Sequence, residues 1–209
     1  MARIIPAILT DNRSQLRAMV GTLSRFSDWI QIDIADGEFV ENKTVTVEAL
    51  ADLHTSALLE VHLMTEQPEQ FFLACQRAGV RRVIFHLEAA EQPGKLLDQL
   101  DELGLEKGIA INPETPIELL LPYVERIDVA LLLSVHPGWQ GQNFLPQTID
   151  RVRQFRSSYP MVIIEVDGGL NAETIGAVAQ AGADYLVVGS AIVKADDPAE
   201  AYRRLSQQL

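Results

Sequence analysis

The sequence is dominated by one rhythm, in which short runs of β-branched and aliphatic residues alternate with longer segments of helical periodicity. The strand-like runs are Ile4–Leu9, Trp29–Ile34, Leu58–Met64, Arg82–Leu87, Gly108–Asn112, Asp128–Val135, Val162–Val166 and Tyr185–Gly189. The helical patterns cover residues 13–26, 45–55, 68–78, 93–103, 116–124, 147–157, 171–181 and 198–207. Strands that alternate with helices favour parallel pairing, and eight such units predict an α/β fold, a closed (β/α)8 TIM barrel.

The alternative architecture is an open, doubly wound sheet. That fold typically carries a glycine-rich turn directly after its first strand, whereas Ile8, Leu9, Thr10 and Asp11 contain no glycine. No linker rich in glycine, serine or proline divides the 209 residues. The sequence therefore favours the barrel, formed by a single domain over residues 1–209.

The charge balance restricts the partners of this chain. It has 17 Lys and Arg against 29 Asp and Glu, a formal net charge of −12. Such an acidic surface repels nucleic acid and anionic membranes, although a pocket lined by amides can still hold a phosphate. The longest apolar run, Val129 to Val135, is too short to span a bilayer, and the single cysteine, Cys75, fits a reducing compartment. We expect a cytoplasmic protein that binds neither nucleic acid nor membrane, with Cys75 as an inert, buried thiol.

Polar residues stand at the ends of the predicted strands, which is where barrels of this type place their functional groups. Gln31 and Asp33 share one face of the second strand, and His62 and Asp167 lie at the ends of the third and seventh. A carboxylate buried at the barrel mouth needs a hydrogen-bond partner, a metal or a proton. The alternative is that Asp33 and Asp167 only cap nearby backbone amides.

Glycines follow the last three strands. They lie in the segments Pro137–Gln142, Gly168-Gly169 and Gly189-Ser190. Glycine lets backbone N–H groups approach an anion closely, and the loops after strands seven and eight commonly bind phosphate in this fold. We expect a phosphate site built from backbone amides, although any one of these glycines alone could be a simple turn.

Seven short motifs occur in order: Pro6–Leu9, Asp33–Val40, Val61–Met64, Asn112–Pro116, Val135–Gln142, Glu165–Gly169 and Gly189–Ile192. Together they resemble the ribulose-phosphate 3-epimerase family, from Ile5 to about Lys194. The resemblance implies a barrel of the ribulose-phosphate-binding type. It also implies an isomerase of the pentose phosphate pathway that epimerises D-ribulose 5-phosphate to D-xylulose 5-phosphate at carbon 3.

The resemblance further implies residue roles. The barrel of that family holds a divalent metal through two histidines and two aspartates, and the aspartates also act as acid and base. By position, these roles fall on Asp33, His62 and Asp167, with Mn, Mg, Fe or Zn as the expected cofactor. The expected contacts to the sugar phosphate are Ala7, His62, Gly138, Trp139, Gln140, Gly141, Gly168, Gly169, Gly189 and Ser190.

These residue types suit the implied chemistry. Inversion of a carbon next to a ketone requires a base on one face of the substrate and an acid on the other. A divalent ion can stabilise the enediolate that forms between the two proton transfers.

The chain departs from the family around one site. Gln31 stands where the family has its first metal-binding histidine, and its carbonyl oxygen is a candidate ligand that suits Mg or Mn better than Zn. Ala7 replaces a substrate-contacting serine, Ala35 and Leu133 replace methionines, and Glu38 replaces a histidine. Since Ala7 and Ala35 are small, they leave room for one more carbon, and a ketohexose 6-phosphate such as allulose 6-phosphate is an alternative substrate.

Two other functions use such a barrel. A non-catalytic sugar-phosphate binder would have no need of two opposed carboxylates. A decarboxylase of the orotidine-phosphate type needs an Asp-x-Lys-x-x-Asp run on the third strand, and Glu60–Met64 contains no lysine. The expected ligand is a small sugar phosphate. Whether the chain assembles into a homo-oligomer stays open.

Three aromatic residues have two interpretations each. His86 is either a hydrogen-bonding residue behind the site or a histidine of the core. His136 either replaces the missing imidazole or faces solvent, as loop histidines commonly do. For Trp29, we favour packing against a helix over stacking on a ligand.

Overall fold

The computed structural model describes residues 2–209, which form a closed barrel of parallel strands. Each strand pairs with the next along the chain, and the last pairs with the first. The strands are β1 (Arg3–Ile8), β2 (Trp29–Ala35), β3 (Leu58–Met64), β4 (Arg82–His86), β5 (Glu106–Ile111), β6 (Val129–Leu133), β7 (Ile164–Asp167) and β8 (Tyr185–Val188). The predicted (β/α)8 barrel is confirmed, and the open sheet is wrong.

The helices surround the barrel and differ from the prediction in three places. They are α1 (Arg13–Leu23), α2 (Glu69–Arg77), α3 (Pro93–Glu102), α4 (Thr148–Ser158), α5 (Ile175–Ala181), α6 (Ser190–Val193) and α7 (Pro198–Ser206). The predicted helices over 45–55 and 116–124 are only 3-10 segments, and the single turn α6 was not predicted. No helix within residues 2–209 is long and apolar enough to cross a membrane.

Local sequence explains the two short segments. Pro122 lies inside the segment Ile117–Tyr123 and supplies no backbone N–H, which removes a bond that an α-helix needs. The β-branched residues Val45, Thr46 and Val47 precede or begin the other one, and such residues are stiff in a helix. Both connections therefore form the tighter, shorter helix type.

Alternation along the strands creates two packed layers. Side chains that point outward pack against the helices, as Phe85 of β4 does against Phe72 of α2, with ring centroids 6.2 Å apart. Side chains that point inward, among them Ile84 and Leu131, fill the barrel itself. Cys75 of α2 is fully buried, and burial raises the pKa of its thiol to about 12, as expected of an inert cysteine.

A buried ionic cluster lies inside the barrel at the end opposite the mouth, where the strands begin. Arg82 donates a hydrogen bond to Glu60 at 2.8 Å and to Glu106 at 2.9 Å. Its guanidinium lies 4.3 Å from the ring centroid of Trp29 and 5.3 Å from that of Tyr185, within the range of cation–π attraction. Two carboxylates and two aromatic rings therefore surround the guanidinium of Arg82 inside the barrel.

The position of Trp29 corrects the sequence prediction. Its ring packs inside the barrel beside Arg82 rather than against a helix. Successive residues of a strand alternate between faces, and Gln31 and Asp33 point inward from the same strand. The same alternation places Trp29 inside.

The cluster holds more acid than base. Glu60 and Glu165 are fully buried, and Arg82 Nη1 lies 3.8 Å from Glu165 Oε2. Burial raises the pKa of Glu60 to about 7, although Arg82 opposes the shift. Burial and then the charge of Glu60 raise the pKa of Glu165 well above its usual value. Arg82 is thus the cation that offsets two buried carboxyl groups.

We expect Arg82→Met to lower the free energy of unfolding by about 3–5 kcal/mol, because it leaves buried carboxyl groups without a cation. Denaturant unfolding at neutral pH measures this loss, and adding Glu60→Gln should recover part of it. The matched control is Arg81→Met, since Arg81 also pairs with Glu106 but its side chain is 54% exposed. An equal loss in the control would contradict the role given to burial.

Candidate active site

Strands β2, β3 and β7 bring three predicted site residues together at the C-terminal mouth of the barrel. Asp33 and His62 are register partners on neighbouring strands. His62 Nδ1 lies 3.4 Å from Asp33 Oδ1 and 3.7 Å from Asp167 Oδ2. Their potential ligand atoms all lie within 4.8 Å of one another, and this group could hold a metal ion.

Gln31 connects the two carboxylates. Its Nε2 donates to Asp33 Oδ1 at 2.8 Å and to Asp167 Oδ2 at 2.9 Å. Its Oε1 is buried and has no hydrogen-bond partner within the described part of the chain. The carboxamide thus presents its donor end to two acceptors, and ligation of a metal through Oε1 would require a half-turn of that group.

A row of hydrogen bonds from His62 through His86 to Glu88 orients the His62 ring. His62 Nε2 lies 2.9 Å from His86 Nε2, and His86 Nδ1 lies 3.3 Å from Glu88 Oε2. Burial lowers the pKa of His86 to about 4, which keeps its ring neutral at neutral pH. Of the two interpretations of His86, the structure supports the hydrogen-bonding one.

The carboxylate at the end of this row is strongly ionised. Burial alone would raise the pKa of Glu88, but hydrogen bonds from His86, Thr115 and the backbone N–H of Asn112 hold it to about 2. Glu88 therefore accepts a hydrogen bond from the Nδ1–H group of His86, and the neutral ring of His86 must then accept a hydrogen bond at Nε2. It follows that His62 donates through Nε2.

This tautomer leaves a lone pair on His62 Nδ1. The atom is buried without a hydrogen-bond partner among residues 2–209 and faces the carboxylates of Asp33 and Asp167. An imidazole lone pair between two carboxylates needs a positive charge, either a proton or a metal ion. The three residues fit a divalent cation on these grounds.

The pKa of Asp167 is higher than that of an ordinary aspartate. Burial, followed by the neighbouring charge of Asp33, raises the pKa of Asp167 to about 7, while His62 and Gln31 oppose the shift. A carboxyl group with this pKa can hold or release a proton near neutral pH, as a general acid or base must.

The predicted sugar-phosphate contacts line one cavity of about 50 Å³ at the barrel mouth. Every predicted site residue except Gln31 lies on its wall, and the loops after β6, β7 and β8 form most of it. No lysine or arginine is among the described residues that line this cavity. An anion in it would depend on backbone amides.

Close packing explains the glycines of the β7 loop. Gly168 has a φ of +115°, and a Cβ there would lie 2.4 Å from Val135 Cγ2. Ser134 holds the same turn, since its hydroxyl donates to the carbonyls of Asp167 at 2.8 Å and Gly168 at 2.6 Å. Sequence reasoning missed Ser134, although a lone serine in an apolar run is a visible signal.

His136 and Asn42 complete the mouth. The side chain of His136 is 65% exposed and lies 3.5 Å from Glu114, so it faces solvent and does not replace the missing imidazole. Asn42 Nδ2 donates to the carbonyl of Gly138 at 2.7 Å and anchors the β6 loop. The role of Asn42 depends on a distant backbone atom, and the sequence carries no signal for it.

Fold and site define a class: an α/β barrel with two neighbouring carboxyl groups and a histidine on the wall of a glycine-lined cavity. The chain belongs to the ribulose-phosphate 3 epimerase family, whose sequence model matches residues 3–193. It is 37% identical to the ribulose-phosphate 3-epimerase of Schizosaccharomyces pombe over 95% of this chain and 90% of the relative. It is 35% identical to the cytoplasmic isoform of ribulose-phosphate 3-epimerase from rice, Oryza sativa subsp. japonica, over 100% and 94%.

A solved structure agrees on the fold. Orotidine 5'-phosphate decarboxylase from Pyrococcus horikoshii superposes with a TM-score of 0.71 at 17% identity, over 98% of each chain. At that identity, the likeness concerns the fold alone.

We expect Gly168→Ala to lower the free energy of unfolding by about 2–4 kcal/mol, because it combines backbone strain with a collision in the packed turn. Denaturant unfolding measures this loss. Gly141→Ala is the matched control, since Gly141 has a φ of +83° but nothing lies within 4 Å of its Cβ position. Its expected loss is about 1–2 kcal/mol, from strain alone. Equal losses would show that the collision with Val135 is unimportant.

Proposed function

We propose that this protein is an isomerase that epimerises D-ribulose 5-phosphate and D-xylulose 5-phosphate at carbon 3. One observation carries the proposal: two carboxylates, Asp33 and Asp167, lie 3.4 and 3.7 Å from the same nitrogen of His62 on the wall of a glycine-lined cavity. Membership of the ribulose-phosphate 3 epimerase family and the names of the relatives support it.

The two aspartates divide the proton transfers. One removes the proton from carbon 3, which leaves an enediolate, and the other delivers a proton to the opposite face. Reversal of the reaction exchanges the two roles.

Asp33, His62 and Asp167 would hold the divalent cation. Such a cation, when bound, supplies positive charge that stabilises the enediolate oxygens. Gln31 keeps both carboxylates in place through its two N–H groups, and the Glu88–His86 row keeps His62 in the tautomer that faces them.

The phosphate group would bind at the other end of the cavity. The segments Gly138–Gly141, Gly168-Gly169 and Gly189-Ser190 bring backbone to the cavity wall after the last three strands. Backbone amides bind an anion without side-chain charge, which suits a chain with a net charge of −12.

The alternatives receive less support. Burial of two neighbouring carboxylates is unfavourable, and a protein that only binds an anion gains nothing from it. The decarboxylase alternative lacks its lysine, since β3 carries His62 at the site. A ketohexose 6-phosphate would need the space predicted above Ala7 and Ala35, but Ala35 does not line the cavity.

Two further expectations stay predictions: a cytoplasmic location and one domain over residues 1–209. The rice relative is named as a cytoplasmic isoform, which supports the first of them. Assembly into a homo-oligomer stays open.

We expect Asp33→Asn and Asp167→Asn each to lower turnover of ribulose 5-phosphate at least about 100-fold, since each removes one of the two proton-transfer groups. A coupled assay that detects xylulose 5-phosphate measures this effect. Asp150→Asn is the control, because the Asp150 side chain is 83% exposed. Retained turnover in either site variant would refute the assignment of acid and base.

The metal ligands predict a preference among cations. Two carboxylates and one imidazole favour Mn or Mg over Zn, which prefers nitrogen and sulfur ligands. We therefore propose a weak divalent site that Mn or Mg restores better than Zn.

Calorimetric titration of chelator-treated protein tests this preference, with activity as a second measurement. Gln31→His should tighten zinc binding because it adds an imidazole. Stoichiometric zinc in the purified protein, together with no change in affinity or rate in Gln31→His, would contradict the proposal. Activity that survives complete removal of metal would contradict the role given to the cation.

A further inference from the structure

The side chain of Gln140 crosses the mouth of the barrel. It belongs to the loop after β6, yet its Nε2 lies 3.3 Å from the carbonyl oxygen of Ala7 on β1. It also packs against the end of β8, where a Cβ on Gly189 would lie 2.6 Å from Nε2 and 3.0 Å from Cδ of Gln140. The carboxamide thus occupies the gap between two strand ends.

Small residues create this gap. Gly189 has no side chain, and a Cβ there would take the space that the end of the flexible Gln140 side chain now fills. Ala7 presents only a methyl group on the other side. The gap fits one carboxamide and excludes a larger group while Gln140 remains there.

The free space of the cavity is limited in this arrangement, with a volume of about 50 Å³. A side chain that extends into this space therefore competes with a ligand for it.

Gln140 is the lining group best placed to move. Its hydrogen bond to Ala7 is longer than the usual 2.9–3.0 Å or so. The nearby glycines Gly138 and Gly141 have positive φ values of +112° and +83°. The rest of the loop is held more firmly, because Gln142 Nε2 donates to the carbonyls of His136 at 2.6 Å and Trp139 at 2.9 Å.

We propose that Gln140 determines the length of the substrate. Its carboxamide lies beside Ala7 and Gly189 on the wall of the cavity that Asp33 and Asp167 also line, and it limits the carbon chain that can extend from the proposed phosphate site toward the two carboxylates. A five-carbon phosphate displaces it slightly and receives its N–H groups, whereas a sixth carbon needs the space of the carboxamide itself. This inference rests on the proposed function and names a specificity-determining residue for it.

The experiment compares Gln140→Gly with the wild-type protein on ligands of two lengths. Calorimetry measures binding of two unreactive polyol phosphates, ribitol 5-phosphate and sorbitol 6-phosphate. Kinetics measures kcat/KM for D-ribulose 5-phosphate and D-allulose 6-phosphate. Because one added carbon in a tight pocket changes selectivity by about 10–200-fold, we expect Gln140→Gly to shift both ratios toward six carbons by at least about 10-fold.

Gln142→Gly is the matched control. It removes the same carboxamide from the same loop, but one that stabilises the loop instead of filling the gap. It should weaken both ligands alike and leave their ratio unchanged. The proposal that Gln140 determines substrate length is overturned if Gln140→Gly leaves the selectivity between five-carbon and six-carbon ligands unchanged. An equal shift of that selectivity in Gln142→Gly would overturn it too.

The binding measurement separates this inference from the proposed function. If the protein turns over neither ketose phosphate but Gln140→Gly still shifts the binding ratio, the epimerase proposal fails and the length role stands. If neither polyol phosphate binds to the wild type or the variant, the length role is overturned, whatever the activity.

Discussion

The barrel depends on a charge balance inside its own core. Four carboxyl groups, those of Asp33, Glu60, Glu165 and Asp167, point into a space whose lower half contains one guanidinium, that of Arg82. Like charges at short range in a poorly hydrated interior repel strongly. Arg82 offsets this repulsion from below, and the raised pKa values of Glu60 and Glu165 reduce it further. The acidic site at the mouth is stable because the cluster beneath it is nearly neutral.

The same constraint explains Gln31. Two carboxylates that lie this close need a donor or a cation between them, and the Gln31 amide supplies two N–H groups at 2.8 and 2.9 Å. The amide carries no net charge, so it positions the pair without neutralising either member. The pKa of Asp167 therefore stays raised although Gln31 donates a hydrogen bond to it.

Sequence patterns predicted the strands and the residues at their ends, because alternation and β-branching are local properties. Asp33, His62 and Asp167 were predicted to converge for the same reason, since all strands of a parallel barrel end at one mouth. The orientation of a side chain is not predictable from local patterns where it depends on a residue far away in the sequence. The nitrogen end of Gln31 faces Asp167, which lies 136 residues away in the sequence. Trp29 was placed wrongly although its alternation with Gln31 already indicated the interior.

The direction of the Gln140 side chain depends on the backbone of a loop, and no periodic pattern encodes it. This feature has a consequence for how such a protein diverges. The proposed proton-transfer groups sit on strands, where each neighbour is packed, and almost any exchange there disturbs the charge balance of the barrel. Gln140 sits on a loop, and its side chain meets the barrel at the ends of β1 and β8. Selection for a longer or shorter substrate could therefore act on one codon in the loop, while the reaction itself is inherited unchanged.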